Sequence, residues 1–320
     1  MRLLRGLYNC PEQLFTKGCV GTIGNFDGVH LGHQAIIKRL TAKANDLNLP
    51  SVVVLFEPHA QEFFCPTEAP ARLFKLTDKI EALKELGVDF VLCLRFAEEL
   101  ANLSAEDFVR RVLVERLKVK HLFIGDDFRF GHQRKGDFEL LKSYNFVVEA
   151  NQSVTFPLNG ELTGKVRISS SKVRQEIARG NFDIAEALLG RSYQIAGKVA
   201  HGQKQGRKLG FATANINLKR LQSPLKGVYA VRVTIVDANT NSNESLKGVA
   251  NVGVKPTLGD YRERLEIHLL DFAESIYGKK LTVQPLKKIR DEQKFATLDL
   301  LKEQIEKDIQ TAKHYFKNQY

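Results

Sequence analysis

The stretch "CVGTIGNFDGVHLGHQAIIKRL", residues 19–40, decides the fold of the first half of the chain. It opens on a short apolar run, passes through a loop with glycines at 24, 28 and 32, and ends in a pattern placing Ile36, Ile37 and Leu40 on one helical face. A strand ending at Ile23 delivers the loop to the C-terminal edge of a sheet just before a helix begins. Free backbone N–H groups and the helix dipole favour a phosphate there. Gly28 and Gly32 let the backbone approach closely, and His30 and His33 offer imidazoles that can stabilise charge developing at a phosphorus centre. The spacing is neither a P-loop nor a dinucleotide fingerprint. Two other readings stand beside this one: a glycine turn with two incidental histidines, and a metal site, which lacks a third ligand at matching spacing. Spacing alone leaves the turn open.

The runs "SVVVLF" (51–56), "FVLCLRF" (90–96), "HLFIG" (121–125) and "NFVVEA" (145–150) are short and apolar throughout, as strands buried on both faces of a parallel sheet are. Helical patterns separate them: one from near His33, one over Thr77–Leu86 ending at Gly87, and one from Ser104 with Asp107 three residues on as its capping partner. Alternating βα units predict a doubly wound, Rossmann-like sheet with its site at the strand C-termini. The pattern changes near residue 183. Ser170–Arg179 and Asn181–Leu189 read as short helices stopped by Gly180 and Gly190. Beyond Arg191 short alternating runs ("YQIAGKVA", "GVYAVRVTIVD", "LKGVANVGV", "RLEIHLLDF") predict a β-barrel or sandwich. Residues 297–316 return to helix, with Leu298, Leu301, Ile305 and Ile309 at helical spacing. The boundary is placed at 182/183, giving domains 1–182 and 183–320.

The net charge of +11 implies an anionic partner. Between Arg191 and Val236 there are nine Lys/Arg and no carboxylate, a stretch suited to RNA or to a compact polyanion such as ATP. No apolar stretch approaches the roughly 20 residues of a membrane span, so no membrane partner is expected. The start, "MRLLRGLYNCPEQ", has no apolar signal region, and Cys10, Cys19, Cys65 and Cys93 form no CxxC pair. A reducing cytoplasm is therefore the expectation, and a zinc site is not.

"GNFDGVHLGH" resembles the HxGH signature of nucleotidyltransferases. With Asn25, Phe26 and Asp27 it is similar to the adenylyltransferase module of bacterial bifunctional riboflavin kinase/FMN adenylyltransferases (FAD synthetases). Further segments follow in that family's order. "LFEPHAQEFF" (55–64) resembles its F-E-P-H-P segment, with Ala60 for proline. "FIGDDFRFGHQRKGD" (123–137) resembles its flavin-side loop, and the resemblance assigns Asp127, Phe128, Arg129 and Phe130 to the flavin; read alone, it is also a surface loop with core phenylalanines. "VRISSSKVRQEI" (166–177) resembles its I-S-S-T-x-x-R motif, with Ser171 for threonine, although a serine N-cap accounts for the same residues. The implied ATP set is Gly24, Asn25, Phe26, Asp27, Gly28 and Gly32 with Arg167, Ser170, Ser171 and Arg174, and His30 and His33 are the implied catalytic pair.

The second half resembles riboflavin kinases, whose barrel fold it implies. "GRKLGFATANI" (206–216) is similar to G-x-x-L-G-x-P-T-A-N-I, with Ala212 for proline. The resemblance implies that Gly206, Lys208 and Gly210 bind ATP and that Thr213 and Asn215 hold Mg²⁺ and the ATP phosphates. "KGVYAVRV" (226–233) and "GVANVGVKPT" (248–257) match further segments. "RLEIHLLDF" (264–272) maps the catalytic base to Glu266, on the strand face opposite Leu265, Ile267 and Leu269; a carboxylate so placed is also ordinary solvated surface. "YGKKLTVQPLKKIRDEQKF" (277–295) supplies Arg290 as a flavin contact. The implied chemistry is riboflavin and ATP to FMN, then FMN and a second ATP to FAD and pyrophosphate. "HLGH" followed by "SSSK" also faintly resembles class I aminoacyl-tRNA synthetases. No anticodon-binding domain or aromatic stacking platform accompanies it, so nucleic acid is not an expected partner.

Overall fold

A computed structural model describes residues 1–151, 153–157, 165–200, 213–218, 222–236, 245–254, 263–272 and 274–319. By contacts the chain divides into two compact units. One holds Met1–Pro70 and Phe74–Ser170; the other holds Ala71–Leu73 and the residues from Ser171 onward.

In the first unit the strands are β1 (Arg2–Arg5), β2 (Cys19–Ile23), β3 (Ser51–Glu57), β4 (Phe90–Arg95), β5 (Val119–Gly125) and β6 (Val147–Asn151). They form one parallel sheet in the order β1-β4-β3-β2-β5-β6. The helices are α1 (Leu31–Asp46), α2 (Ala60–Phe64), α3 (Leu76–Glu85), α4 (Glu98–Ala101), α5 (Ala105–Phe108), which runs on into a π-helical stretch over Val109–Arg116, and α6 (Phe138–Lys142). The central strands are apolar on both sides because both sides are covered. Val52, Val54, Leu92, Leu94, Leu122 and Ile124 share a core with Phe108, Val109, Val112 and Leu113 of the α5 segment. Alternate residues such as Val53 and Val91 are equally buried, and α1 packs on β2 and β3. Strand β2 lies between β3 and β5, where the chain reverses the direction in which it adds strands. That switch point places the glycine loop in the crevice at the strand C-termini. A hairpin of β7 (Thr155–Pro157) and β8 (Lys165–Arg167) completes the unit.

The second unit contains α7 (Ser170–Arg179) from Ser171 on, α8 (Phe182–Leu189), and a closed antiparallel barrel. The barrel strands are β9 (Ile195–Ala200), β10 (Thr213–Asn217), β11 (Gly227–Val236), β12 (Ser245–Val254), β13 (Glu263–Leu269) and β14 (Lys280–Arg290), in the order β10-β13-β12-β11-β14-β9. On β13, buried Leu265, Ile267 and Leu269 alternate with half-buried Arg264, Glu266 and His268, so the carboxylate faces outward as its register predicts. The C-terminal helix α9 (Leu298–Lys317) covers part of the outside: Ile309, Ala312 and Phe316 pack on Val228, Ala230 and Val249. Its start is capped by Thr297, whose Oγ1 accepts the Leu300 N–H. Pro285 stands inside β14 where the register with β11 shifts between Ala230 and Val231, so its missing N–H falls at the irregularity. Helices α7 and α8 pack in this unit. Lys288 Nζ donates to the Ala178 carbonyl at 3.1 Å, and the Phe182 ring meets Tyr229 edge-on at 5.9 Å.

Candidate functional site

Residues 24–30 form a tight loop between β2 and α1. Phe26, Gly28 and Val29 all adopt positive φ, of 47°, 80° and 40°. Only Gly28 does so without strain, and two non-glycine residues held there mark a loop whose shape the surroundings impose. Asp27 supplies much of that hold. Its buried carboxylate accepts the Phe74 N–H at 3.0 Å, and its carbonyl accepts the Ser170 hydroxyl at 2.9 Å. His30 is the N-cap of α1: its Nδ1 accepts the His33 N–H at 3.3 Å. A capping Nδ1 carries no proton, so the neutral ring donates from Nε2. The His30 and His33 rings stack with centroids 3.7 Å apart and planes 15° from parallel, and Phe26 lies against His33 at 5.0 Å. The loop thus brings His30, His33 and the first turn of a 16-residue helix to one place at the sheet edge. Gly24 and Asn25 open the same loop, directly after β2.

The 123–137 segment leaves the end of β5. Phe130 is buried in the core beside Phe108, and Phe128, half-buried, stacks on it at 5.5 Å and 17°. One ring is core and carries the other. Asp127 and Arg129 are exposed; Arg129 pairs with Asp137 at 2.7 Å, and Arg167 pairs with Asp126 at 2.8 Å and Asp127 at 3.5 Å. The Ser153 hydroxyl and Arg167 hold Asp126 below the usual carboxylate range. A cavity of about 390 Å³ lies between α1 and β6, lined by Ala35, Ile36, Arg39, Ala150 and Asn151. Sequence reading gave no sign of a second feature near this edge: Lys79, fully buried on α3, contacts His59 Nε2 through its Nζ at 3.2 Å. In the second unit, Arg174 donates from Nε to the Ala71 carbonyl. Ser171 stands one helical turn before it on α7.

On the barrel, strand register assembles a second set. Asn215 on β10 pairs with Glu266 on β13, which pairs on its other side with Asn251 on β12; Thr213 pairs with His268. Thr213 and Asn215 are two apart and half-buried, on the same outward face as Glu266. Beside this row is a cavity of about 350 Å³ lined by Asn251, Arg290, Phe295, Thr297, Leu298 and Leu301 among others. Arg290 lines this cavity, and its guanidinium is engaged. Nε lies 2.9 and 3.0 Å from the Asp308 carboxylate oxygens, Nη2 2.8 Å from one of them, and Nη1 donates to the Asp291 carbonyl at 3.0 Å. Asn251 and Asp308 were not singled out by sequence, because the first is one polar residue in an alternating strand and the second one of several acids on an amphipathic helix. Gly206, Lys208 and Gly210 lie outside the described residues.

The family model for FAD synthetase matches residues 12–172, and that for riboflavin kinase matches residues 189–316. A bifunctional riboflavin kinase/FMN adenylyltransferase of Pseudomonas fluorescens is 51% identical over 319 residues, covering 98% of this chain and 97% of its own. Its counterpart in Escherichia coli is 47% identical over 320 residues, with 99% and 98% covered. A solved structure described as a macrolide-efflux protein from Streptococcus pneumoniae shares the fold, with a TM-score of 0.72 and 28% identity over 98% of this chain and 99% of that one. Among the described residues no helix is long and apolar enough to cross a membrane. Both halves are matched in the order their motifs stand, and the relatives are alike from end to end, so the chain belongs to the bifunctional riboflavin kinase/FMN adenylyltransferase family.

Proposed function

We propose that Glu266 is the base of the riboflavin kinase reaction and that His30 and His33 stabilise charge in the adenylyl transfer. Family membership makes the chain a transferase with both activities, using ATP as co-substrate and giving FMN and then FAD. The division of labour follows residues 183–320 for the kinase and 1–182 for the adenylyltransferase, in a cytoplasmic setting. The observation that carries the kinase reading is the pairing of Asn215 with Glu266 across β10 and β13.

Thr213 and Asn215 offer hard oxygen donors from one strand face, a set that suits Mg²⁺ when phosphates complete the shell. Bound there, Mg²⁺ would neutralise charge on the ATP phosphates. Glu266, one strand away, accepts the proton of the ribityl 5′-hydroxyl as that oxygen bonds to the γ-phosphorus. The bond from the γ-phosphorus to its bridging oxygen breaks, and ADP leaves. Gly206, Lys208 and Gly210 are assigned to ATP on the resemblance alone. Arg290, engaged with Asp308, shapes the flavin cavity.

In the other reaction an FMN phosphate oxygen attacks the α-phosphorus of ATP, and pyrophosphate leaves with the α–β bridging oxygen. A phosphate monoester is already a nucleophile, so no carboxylate base is required. The imidazoles and the helix N-terminus meet the charge that develops. Gly24, Asn25, Phe26, Gly28 and Gly32 shape the grip and Asp27 locks it, while Arg167, Ser170, Ser171 and Arg174 are assigned to ATP on the resemblance alone. Asp127, Phe128, Arg129 and Phe130 take the flavin side. Incubation with riboflavin, ATP and MgCl₂ followed by chromatography tests the whole: FMN and FAD both form. Glu266→Gln stops FMN formation while FAD still forms from supplied FMN; loss of both activities in a folded variant would overturn the two-site reading.

A further inference from the structure

Three facts meet at Asn251. It stands directly opposite Glu266 in the β12–β13 ladder, where paired side chains lie roughly 4.5–5.5 Å apart at Cβ. It also lines the 350 Å³ cavity, a volume that suits a small organic ring. Among the described residues, no side-chain hydrogen bond occupies its carboxamide, whereas the neighbouring polar wall residue Arg290 is spent on Asp308 and Asp291. Phe295, Leu298 and Leu301 give the cavity apolar surface against which a ring can lie, and Glu292, Gln293 and Thr297 line it beside them.

We propose that Asn251 is a substrate-contacting, specificity-determining residue of the kinase reaction, its carboxamide holding a hydroxyl of the ribityl chain between the ring cavity and Glu266. A flavin ring in the cavity must send its chain past Asn251 to bring the terminal hydroxyl to the base. A carboxamide offers both donor and acceptor, matching a secondary hydroxyl that is also both. The neighbour on the other side of Asn251 in the ladder, Val228, is buried beneath α9 and offers nothing polar. The inference rests on Glu266 and this cavity serving riboflavin phosphorylation.

Riboflavin analogues lacking the 2′-, 3′- or 4′-hydroxyl of the ribityl chain test it against Asn251→Ala. In the parent enzyme, loss of the hydroxyl held by Asn251 lowers kcat/KM by about tenfold, the worth of one hydrogen-bonding group left unpaired. In Asn251→Ala, riboflavin itself loses about that factor and the same analogue loses nothing more. FMN adenylylation and the unfolding midpoint of the barrel stay at parent values, and Asn251→Gln, which keeps the carboxamide, recovers part of the loss. If every analogue keeps its full penalty in Asn251→Ala, or riboflavin kinetics are unchanged, the inference is overturned. The parent reading fails separately: Glu266→Gln would then still make FMN at the normal rate, whatever Asn251 does.

Discussion

His30 Nδ1 accepts the His33 N–H at 3.3 Å while the two imidazoles stack 3.7 Å apart. One side chain thus caps α1 and also presents its other nitrogen at the helix N-terminus. The two duties separate by substitution. His30→Asn keeps a good N-cap, so the unfolding midpoint stays near the parent value, yet FAD formation falls by about 10²–10³. His30→Ala loses the same activity and about 1 kcal/mol of stability besides. FMN formation is unchanged in both. Equal activity in His30→Asn and the parent would reduce His30 to a cap.

Glu266 lies between two asparagines in the β10–β13–β12 ladder. Glu266→Gln keeps size and hydrogen-bonding reach but cannot take a proton. FMN formation drops by roughly 10²–10⁴, the range of general-base catalysis, with the KM for riboflavin little changed. A matching rise in KM instead would assign Glu266 to binding.

The half-buried Arg290 and the buried Asp308 bind β14 to α9 through a bidentate pair. Asp308→Ala leaves the half-buried Arg290 guanidinium without its carboxylate, so it destabilises the barrel by about 1–3 kcal/mol in urea unfolding. Because Arg290 also lines the cavity, the milder Asp308→Asn raises the riboflavin KM while adenylylation of supplied FMN is unchanged. An unchanged KM would leave the pair a structural tie alone.

The glycine loop was legible because a strand, a turn and a helix announce themselves locally: Cys19–Ile23 stands where the pattern put it, and the helix expected from near His33 begins at Leu31. The Ser104 cap was legible for the same reason, and its hydroxyl does accept the Asp107 N–H. Partners were not legible. Period-two alternation told which face Glu266 takes, but only barrel closure decides that its neighbours are Asn215 and Asn251. The edge strand β1, four residues of "RLLR", has no periodic signal and exists because β4 is there to pair with it. Phe128 and Phe130 read as a flavin platform or as core, and the packing of one upon the other is a tertiary fact.

His121 is buried on β5 with Nε2 2.7 Å from Glu149 Oε1, and Arg39 and Lys43 lie nearby. Burial depresses its pKa below the ordinary 6.5, against the opposing pull of Glu149. The unfolded chain therefore takes up this proton first, and stability is lost as pH falls through 6.5 toward the lower folded value. The urea midpoint of the parallel-sheet unit drops more steeply between pH 7.5 and 5.5 (roughly the range over which an imidazole charges) in the parent than in His121→Gln. Identical slopes would exclude His121 as the group responsible.

Gly32 stands in the first turn of α1, where an added Cβ would lie 3.1 Å from His30 Cε1 and 3.2 Å from its Nδ1. Helix propensity favours Gly32→Ala by at most about 1 kcal/mol, while the new methyl group pushes the imidazole off its cap. The opposing effects leave stability nearly unchanged, but adenylyl transfer falls at least about tenfold because the ring leaves the position where charge develops. The His30→Ala background, which leaves no capping side chain, tells whether the ring is the cause. With the imidazole gone, the next atom the Cβ meets is the Ile168 carbonyl oxygen at an easy 3.6 Å. Gly32→Ala should then cost little more, so the two losses in kcat/KM for FMN combine to less than their product. Fully multiplicative losses would mean that Gly32 serves by letting the backbone itself approach the phosphate, independently of His30.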